Sequence, residues 1–411
     1  MLQQRSFGKI EFRPSVLGFG AMRLPQLANG AEPADAAYGR IDVQTANAML
    51  RRAVEAGVNY VDTAYPYHDG ASERWLGQAL RVVAEELFGP GGDGPARLRS
   101  QLKVATKLPM FRVQSHDDCE RYFAEQLERL QLPSVDFYLL HGLRAGSIAK
   151  LREYDVLGWA EEALAAGRIG HLGFSFHDQY PVFAELVDAT DLWEFCQIQY
   201  NFMDEEFQAG TRGLRYAADK GLGVIVMEPL RGGRLTRTPP QEVAALWEAA
   251  NARRAAAGQP PRSPAEWGLQ WVWQHPEVSF LLSGMSTPEQ LEENLASAEL
   301  AATKALSDEE LETYRAVRAV YLAKTPIDCT SCRYCLPCPS GVAIPEILNL
   351  YNDAIIYDTG RAAARFSYGW IPQPARAESC TRCGDCEKAC PQQITIPDWL
   401  EKIRQYVASD D

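Results

Sequence analysis

The chain has 411 residues, 46% of them apolar and 23% charged, with 41 Lys and Arg against 54 Asp and Glu for a net charge of −13. That composition is ordinary for a folded protein with a large core, and the length suggests more than one domain. The acidic balance argues against a nucleic-acid or anionic-membrane surface, either of which would repel it. No apolar run approaches the ~20 residues that span a bilayer. The opening MLQQRSFGKIEF lacks the charged, apolar and small-residue sections of a secretory signal. A cytoplasmic protein with no nucleic-acid and no membrane partner is expected.

Runs rich in apolar, β-branched and aromatic residues fall at 16–22, 60–64, 102–108, 134–141, 170–176, 195–200, 223–230 and 278–284. Between them lie stretches of helical periodicity, among them ANAMLRRAVEAG, ERWLGQALRVVAEEL, CERYFAEQLERL and GLRYAADKG. RSFGKIEF, ahead of the first run, reads as a short hairpin, and the Gly/Pro-rich stretches 88–97 and 231–263 read as surface loops. After the last run, Thr287 and Pro288 form a good cap and first-turn pair. Eight strand–helix units whose strands are apolar throughout, and so buried on both faces, predict a closed (β/α)8 TIM barrel. An open dinucleotide-binding sheet fits less well, because Gly18-Phe19-Gly20 lacks the third glycine and runs into Met-Arg-Leu-Pro rather than a helix. The expected organisation is a barrel over 1–322 and a smaller, mainly helical domain over 323–411.

Barrel chemistry belongs at the C-terminal ends of strands. Asp62 and Tyr67 follow the second run, Lys107 ends the third and His141 ends the fourth. A Lys beside a Tyr is expected to lower the Tyr pKa, and a carboxylate near the Lys to keep it charged. Tyr67 would then give a proton to a carbonyl oxygen as hydride reaches the carbon, with His141 orienting that oxygen.

Eight of the ten cysteines lie between residues 329 and 390. Cys329, Cys332, Cys335 and Cys338 form C-x2-C-x2-C-x2-C-P, and Cys380, Cys383, Cys386 and Cys390 form C-x2-C-x2-C-x3-C-P. A disulfide framework suits small secreted domains, so these thiols read as metal ligands. The second run has the bacterial spacing for cubane iron–sulfur clusters, and the first is one residue tighter. Three thiolates of one loop can bind three irons, whereas the fourth lies too far round to close the same cube. The expected pairing is therefore crossed: Cys329, Cys332 and Cys335 with Cys390, and Cys380, Cys383 and Cys386 with Cys338. Zinc also favours C-x2-C pairs but seldom three such steps followed by C-P. Two [4Fe–4S] clusters are expected, or one if the tightened run leaves a site empty. IPEIL after the first run and IPDWL after the second repeat one pattern, which suggests a pseudo-symmetric pair.

The body resembles the aldo/keto reductases. The resemblance rests on Asp62-Thr-Ala-Tyr-Pro-Tyr67, VATKLP, DFYLLH, GRIGHLGFS (167–175), QIQYN (197–201), MEPLRGGRL (227–235) and TPEQLEENL (287–295), in the family's order over roughly residues 5–320. The tail resembles a bacterial-ferredoxin-like two-cluster domain with an insertion of about 40 residues between its cysteine runs. The resemblance implies an extended NADP or NAD bound without a Rossmann domain, a catalytic tetrad of Asp62, Tyr67, Lys107 and His141, and Ser175 and Gln197 on the nicotinamide carboxamide. It further implies that Met227 stands where an aromatic usually stacks, that Pro229, Leu230, Ser286 and Gln290 line the cofactor, and that Asn294 meets the adenine. Phe176 occupies a position where Asn is frequent. The positions that grip a 2′-phosphate in many reductases fall on Gly284 and Gln290, neither of them cationic, which leaves NAD against NADP open. The implied activity is hydride transfer between nicotinamide and a small carbonyl or alcohol substrate. Two alternatives stand beside it: a ferredoxin-like electron partner feeding the barrel through the clusters, and a non-catalytic NAD(P)-binding regulatory module, against which the intact tetrad speaks. Nicotinamide moves electrons in pairs as hydride while cubane clusters move them singly, and no flavin-binding motif is recognisable.

Overall fold

The computed structural model describes residues 2–28, 35–330, 332–357 and 360–409. Eight strands, β1 (Leu17–Gly20), β2 (Tyr60–Asp62), β3 (Lys103–Leu108), β4 (Val135–Leu143), β5 (Ile169–Phe176), β6 (Phe195–Gln199), β7 (Gly223–Met227) and β8 (Phe280–Ser283), pair in parallel and in chain order, and β8 closes on β1. Each is almost wholly buried, as near-continuous apolar strands covered by helices require.

Side chains alternate across a strand, and those turned inward fill a barrel in layers. Tyr60, Ala105, Phe137, Leu139, Phe195, Ile225, Phe280 and Leu282 form one buried cluster with Phe7 and Ile10. The segment before β1 folds back as expected of a hairpin, with antiparallel bridges Gln4–Ser15 and Phe7–Ile10. It drives Phe7 against the rings of Phe137, Phe195 and Phe280, at centroid separations of 5.6, 5.5 and 5.4 Å. This apolar plug closes the N-terminal end. Gly223 opens β7 beside it, where a Cβ would lie 2.1 Å from the Phe7 ring. Gly223→Ala is therefore expected to destabilise the protein by ~1–3 kcal/mol through overpacking, read as a lowered denaturant midpoint at unchanged slope. An unshifted midpoint would mean that Phe7 does not plug the barrel.

Two residues further along the same inward stripes the chemistry changes. Tyr60 gives way to Asp62, Ala105 to Lys107, Leu139 to His141 and Phe195 to Gln197, all buried. The strand register places Ser175 beside Gln197 on β5 and β6. The barrel thus carries a polar layer at its C-terminal mouth over an apolar floor.

Of the two stretches expected to be loops, 231–263 is largely helical, whereas 88–97 keeps a non-helical turn over 89–93 between two helices. Residues 88–97 span the end of helix Ala71–Phe88 and the start of helix Gly94–Gln101, and 231–263 contains the 3-10 stretch Arg231–Thr236 and helix Gln241–Ala256. The sequence QEVAALWEAANARRAA has high helix propensity, and the Gly and Pro residues around it punctuate the helix rather than fill it.

The chain divides into two compact units, Met1–Pro229 with Ala265–Ala305, and Leu230–Pro264 with Leu306–Asp411. The first is the barrel. In the second, helix Asp308–Lys324 opens on a Ser307–Glu310 capping box. Glu310 also receives both Arg254 and Arg262, at 2.7 and 2.8 Å. The cysteine-bearing part of this unit packs helices Ile344–Ile356, Gly360–Gly369 and Ile396–Ala408 around Ile347, Leu348, Leu400 and Ile403. The two IP segments each start one of these helices.

Candidate active site and cysteine cradles

The four strand-end residues converge. Lys107 is 1% exposed, and its three ammonium protons go to Asp62 Oδ1 at 2.5 Å, the Thr63 carbonyl at 2.8 Å and the Tyr67 hydroxyl at 3.2 Å. An ammonium has three donors and no acceptor. The Tyr67 oxygen therefore accepts, and its own proton remains to be donated elsewhere. The His141 ring stands nearly perpendicular to that of Tyr67, with centroids 6.0 Å apart, and the exposed Phe111 ring flanks it at 6.2 Å. His141 Nδ1 is buried and has no hydrogen-bond partner among the described residues.

Burial governs the ionisation of this group. It pushes Asp62 up and Lys107 down, and their mutual attraction opposes both shifts. It holds the His141 imidazole well below its ordinary range, helped by the charges of Lys107 and His177, so the ring is neutral around pH 7. Tyr67 is raised well above the usual phenol value by burial first and then by Asp62 and Glu228, with Arg23 opposing. This reverses the expectation from sequence that Lys107 would lower it. Lys107 is matched by Asp62 at 2.5 Å, and desolvation outweighs what remains of its field.

Behind Lys107 lies a buried network that no motif in the sequence marks. Glu73 is fully buried and accepts from Thr106 Oγ1 at 2.6 Å and Gln126 Nε2 at 2.5 Å, with Arg129 at 3.2 Å. Gln126 Nε2 also reaches the Lys107 carbonyl at 3.0 Å, and its Oε1 accepts from Tyr138 at 2.7 Å. The strand end that carries Lys107 is thereby fixed, and Glu73 adds a second negative charge that favours its protonated form.

The residues expected to hold the nicotinamide cofactor are spread over several strand ends. Ser175 is buried; its Oγ accepts from the Gly142 amide at 2.8 Å and so keeps its hydroxyl proton for another partner. Gln197 is buried with its Nε2 at 3.5 Å from Asp62 Oδ2. An adjacent hydroxyl and amide suit a carboxamide, and the unpartnered His141 Nδ1 leaves a further polar atom to satisfy, so these residues fit the group. Met227 is half-buried at the end of β7, Pro229 is buried, and Leu230 lies in the second compact unit. Ser286 and Gln290 are exposed and bonded to each other, the Ser286 amide donating to Gln290 Oε1 at 2.8 Å. Asn294 is buried and donates to Ser283 Oγ at 2.8 Å. Gly284 has no side chain, but the stem of Arg23 lies against it: a Cβ there would meet Arg23 Cβ at 3.1 Å. Ser286 Oγ donates to the Arg23 carbonyl at 2.9 Å. Arg23 thus brings to this corner of the mouth a cation that reading β8 alone does not reveal.

In the second unit the eight cysteines surround two hollows. Cys329, Cys332, Cys335 and Cys390 line one, with Arg333 and Gln392; Cys338, Cys380, Cys383 and Cys386 line the other, with Thr381 and Leu400. Among the described residues no three His, Cys, Asp or Glu side chains are placed to share a single metal ion. Burial and the neighbouring sulfurs push the Cys335 thiol upward and Cys386 up to about 11. Soft thiolates of this kind form when an iron or similar cation displaces their protons, and the two sets fit such a group.

A parallel barrel with polar ionisable residues at its mouth, joined to a unit with two cysteine cradles, defines a (β/α)8 oxidoreductase with an iron–sulfur appendage. The chain belongs to the aldo/keto reductase family, which matches residues 16–319, and residues 328–395 match the 4Fe-4S dicluster domain. It is an NAD(P)-dependent oxidoreductase acting on a small molecule, and iron–sulfur clusters are its second cofactor. It is 27% identical to an L-galactose dehydrogenase of Arabidopsis thaliana over 323 residues, covering 75% of this chain and 94% of that protein. It is likewise 27% identical to a methylglyoxal reductase of Escherichia coli, covering 69% and 90%. Among solved structures, the holo form of an aldo-keto reductase from Bacillus halodurans superposes with a TM-score of 0.58 at 23% identity, covering 77% of this chain and 96% of that one, a likeness of fold. No helix among the described residues is long and apolar enough to cross a membrane.

Proposed function

We propose that the barrel mouth interconverts a small carbonyl compound and its alcohol, with Tyr67 as the general acid or base. The observation that carries this reading is the spending of all three Lys107 donors on Asp62, Thr63 and Tyr67, which leaves the Tyr67 proton aimed away from the lysine. Bound NADP or NAD supplies or accepts the hydride. Ser175 and Gln197 hold the carboxamide, Met227 and Pro229 support the ring end, and Ser286, Gln290 and Asn294 the adenosine end. Arg23 offers the cation that Gly284 and Gln290 do not. A neutral His141 donates a hydrogen bond to the substrate oxygen without competing as an acid, while Tyr67 gives that oxygen its proton. The similar dehydrogenase and reductase favour small, oxygen-rich carbonyl compounds or sugars as the substrate class. The eight cysteines hold two [4Fe–4S] clusters in crossed sets.

A second reading has a ferredoxin-like partner exchanging single electrons with those clusters, and the exposure of Cys383 favours it. A cytoplasmic site of action and the absence of nucleic-acid partners accord with the net charge of −13. The test is anaerobic turnover of the full chain with NADH or NADPH and a panel of 2-oxoaldehydes and hexoses, followed by electron-spin-resonance spectra with each nicotinamide alone. Turnover with clusters silent towards nicotinamide supports the first reading. A reduced-cluster signal that appears on adding nicotinamide favours the second.

A further inference from the structure

Within the second compact unit, Arg231, Arg234 and Arg237 of the stretch after β7 reach the cysteine-bearing segments. Arg231 Nη2 lies 3.4 Å from Asp328, whose side chain is mostly exposed, and Arg237 pairs with Asp353 at 2.5 Å in partial solvent. Arg234 differs from both. Its Nη1 donates to the carbonyl of Cys329 at 2.5 Å, and its Nη2 is buried with no hydrogen-bond partner among the described residues. Among the described residues the one acceptor bonded to its guanidinium is a neutral carbonyl. The charged groups that act on it are Cys329 and Asp353 on one side and Arg231 and Arg237 on the other. Among the described residues no hydrogen bond joins a buried arginine to a cysteine carbonyl of the second cradle. Its nearby cations, Arg382 and Lys388, are exposed and ion-paired with Asp398 and Asp385.

A cluster held by four thiolates carries net negative charge and gains another unit on reduction. Burial disfavours that gain, and a fixed cation in a low-dielectric setting favours it. We propose that Arg234 is a potential-setting residue for the cluster held by Cys329, Cys332, Cys335 and Cys390, raising that cluster's reduction potential and leaving the other cluster's potential alone. The inference rests on the reading that these four cysteines hold a cluster. It makes the two clusters electrostatically unequal although their cysteine runs are near repeats.

The experiment is a mediator titration of the full chain followed by electron spin resonance, on wild type, Arg234→Gln, Arg234→Lys and, as a control, Arg382→Gln, each after iron and sulfide analysis. In R234Q one midpoint is expected to fall so that, at a fixed poise, the reduced-to-oxidised ratio of that cluster drops at least tenfold, about 59 mV for a one-electron couple. The other midpoint stays, R234K keeps most of the wild-type value, and R382Q shifts neither midpoint comparably. If R234Q loses iron, Arg234→Met, which retains an aliphatic stem, carries the same expectation. A neutral variant with full iron and both midpoints at wild-type values overturns the assignment, as does an equal shift of both. A wild-type chain without iron and sulfide would instead overturn the cluster reading itself.

Discussion

Replacing Tyr67 with Phe is expected to lower kcat for carbonyl reduction by ~10²–10⁴-fold, the range for losing a positioned general acid. The ring is kept, so nicotinamide affinity stays near wild type, while the buried Lys107 donor that loses its acceptor lowers stability by ~1–3 kcal/mol. The direction of the Tyr67 shift fixes the pH dependence. A phenol held above its usual value retains its proton through the alkaline range, so the reductive kcat holds level where an ordinary tyrosine would begin to lose its proton. The reverse reaction, which needs the phenolate as base, rises with pH over that interval. Steady-state pH profiles of both directions check this. A reductive rate that falls with an apparent pKa near neutrality would show that the proton comes from another group.

The second large effect concerns the crossed cradles. Cys338→Ser is expected to remove the cluster bounded by Cys380, Cys383 and Cys386, although Cys338 belongs to the other run, and Cys390→Ser to remove the one bounded by Cys329, Cys332 and Cys335. Each variant should fall from about eight irons per chain to about four, since each cubane holds four. The two residual spectra should differ from one another. The double variant Cys338→Ser/Cys329→Ser should lose both clusters, whereas uncrossed binding would leave it one. Iron analysis of the two single variants and the double one decides between the patterns.

Much of this was legible in the sequence, for reasons that can be named. Strands buried on both faces announce themselves as apolar runs, and eight of them separated by helical periodicity leave few alternatives to a closed parallel barrel. The position of Lys107, two residues past Ala105 on an inward stripe, follows from the two-residue strand period. Glu73 was not legible, because its partners Thr106 and Gln126 lie 33 and 53 residues away and meet it only when helix Ala71–Phe88 docks on the barrel. Arg23 escaped for a similar reason: β1 and β8 become neighbours only on closure. The Tyr67 shift was misjudged because proximity of a lysine can be guessed from spacing, while the cost of burying the phenol depends on the finished mouth. In 231–263 the Gly and Pro residues at the ends signal a loop, but the segment between them is a helix. The helix propensity of Gln241–Ala256 was there to be summed.

The most direct test of the account is the fate of the hydride. The full chain, prepared anaerobically, is given NADPH or NADH carrying deuterium at C4 of the nicotinamide, together with a 2-oxoaldehyde, and the alcohol product is analysed by mass spectrometry. The account predicts deuterium on the former carbonyl carbon from one face of nicotinamide C4 only, with labelled alcohol formed ~10²–10⁴-fold more slowly by Tyr67→Phe. Unlabelled alcohol from both deuterated faces, or labelled alcohol formed equally well by Tyr67→Phe, would contradict it.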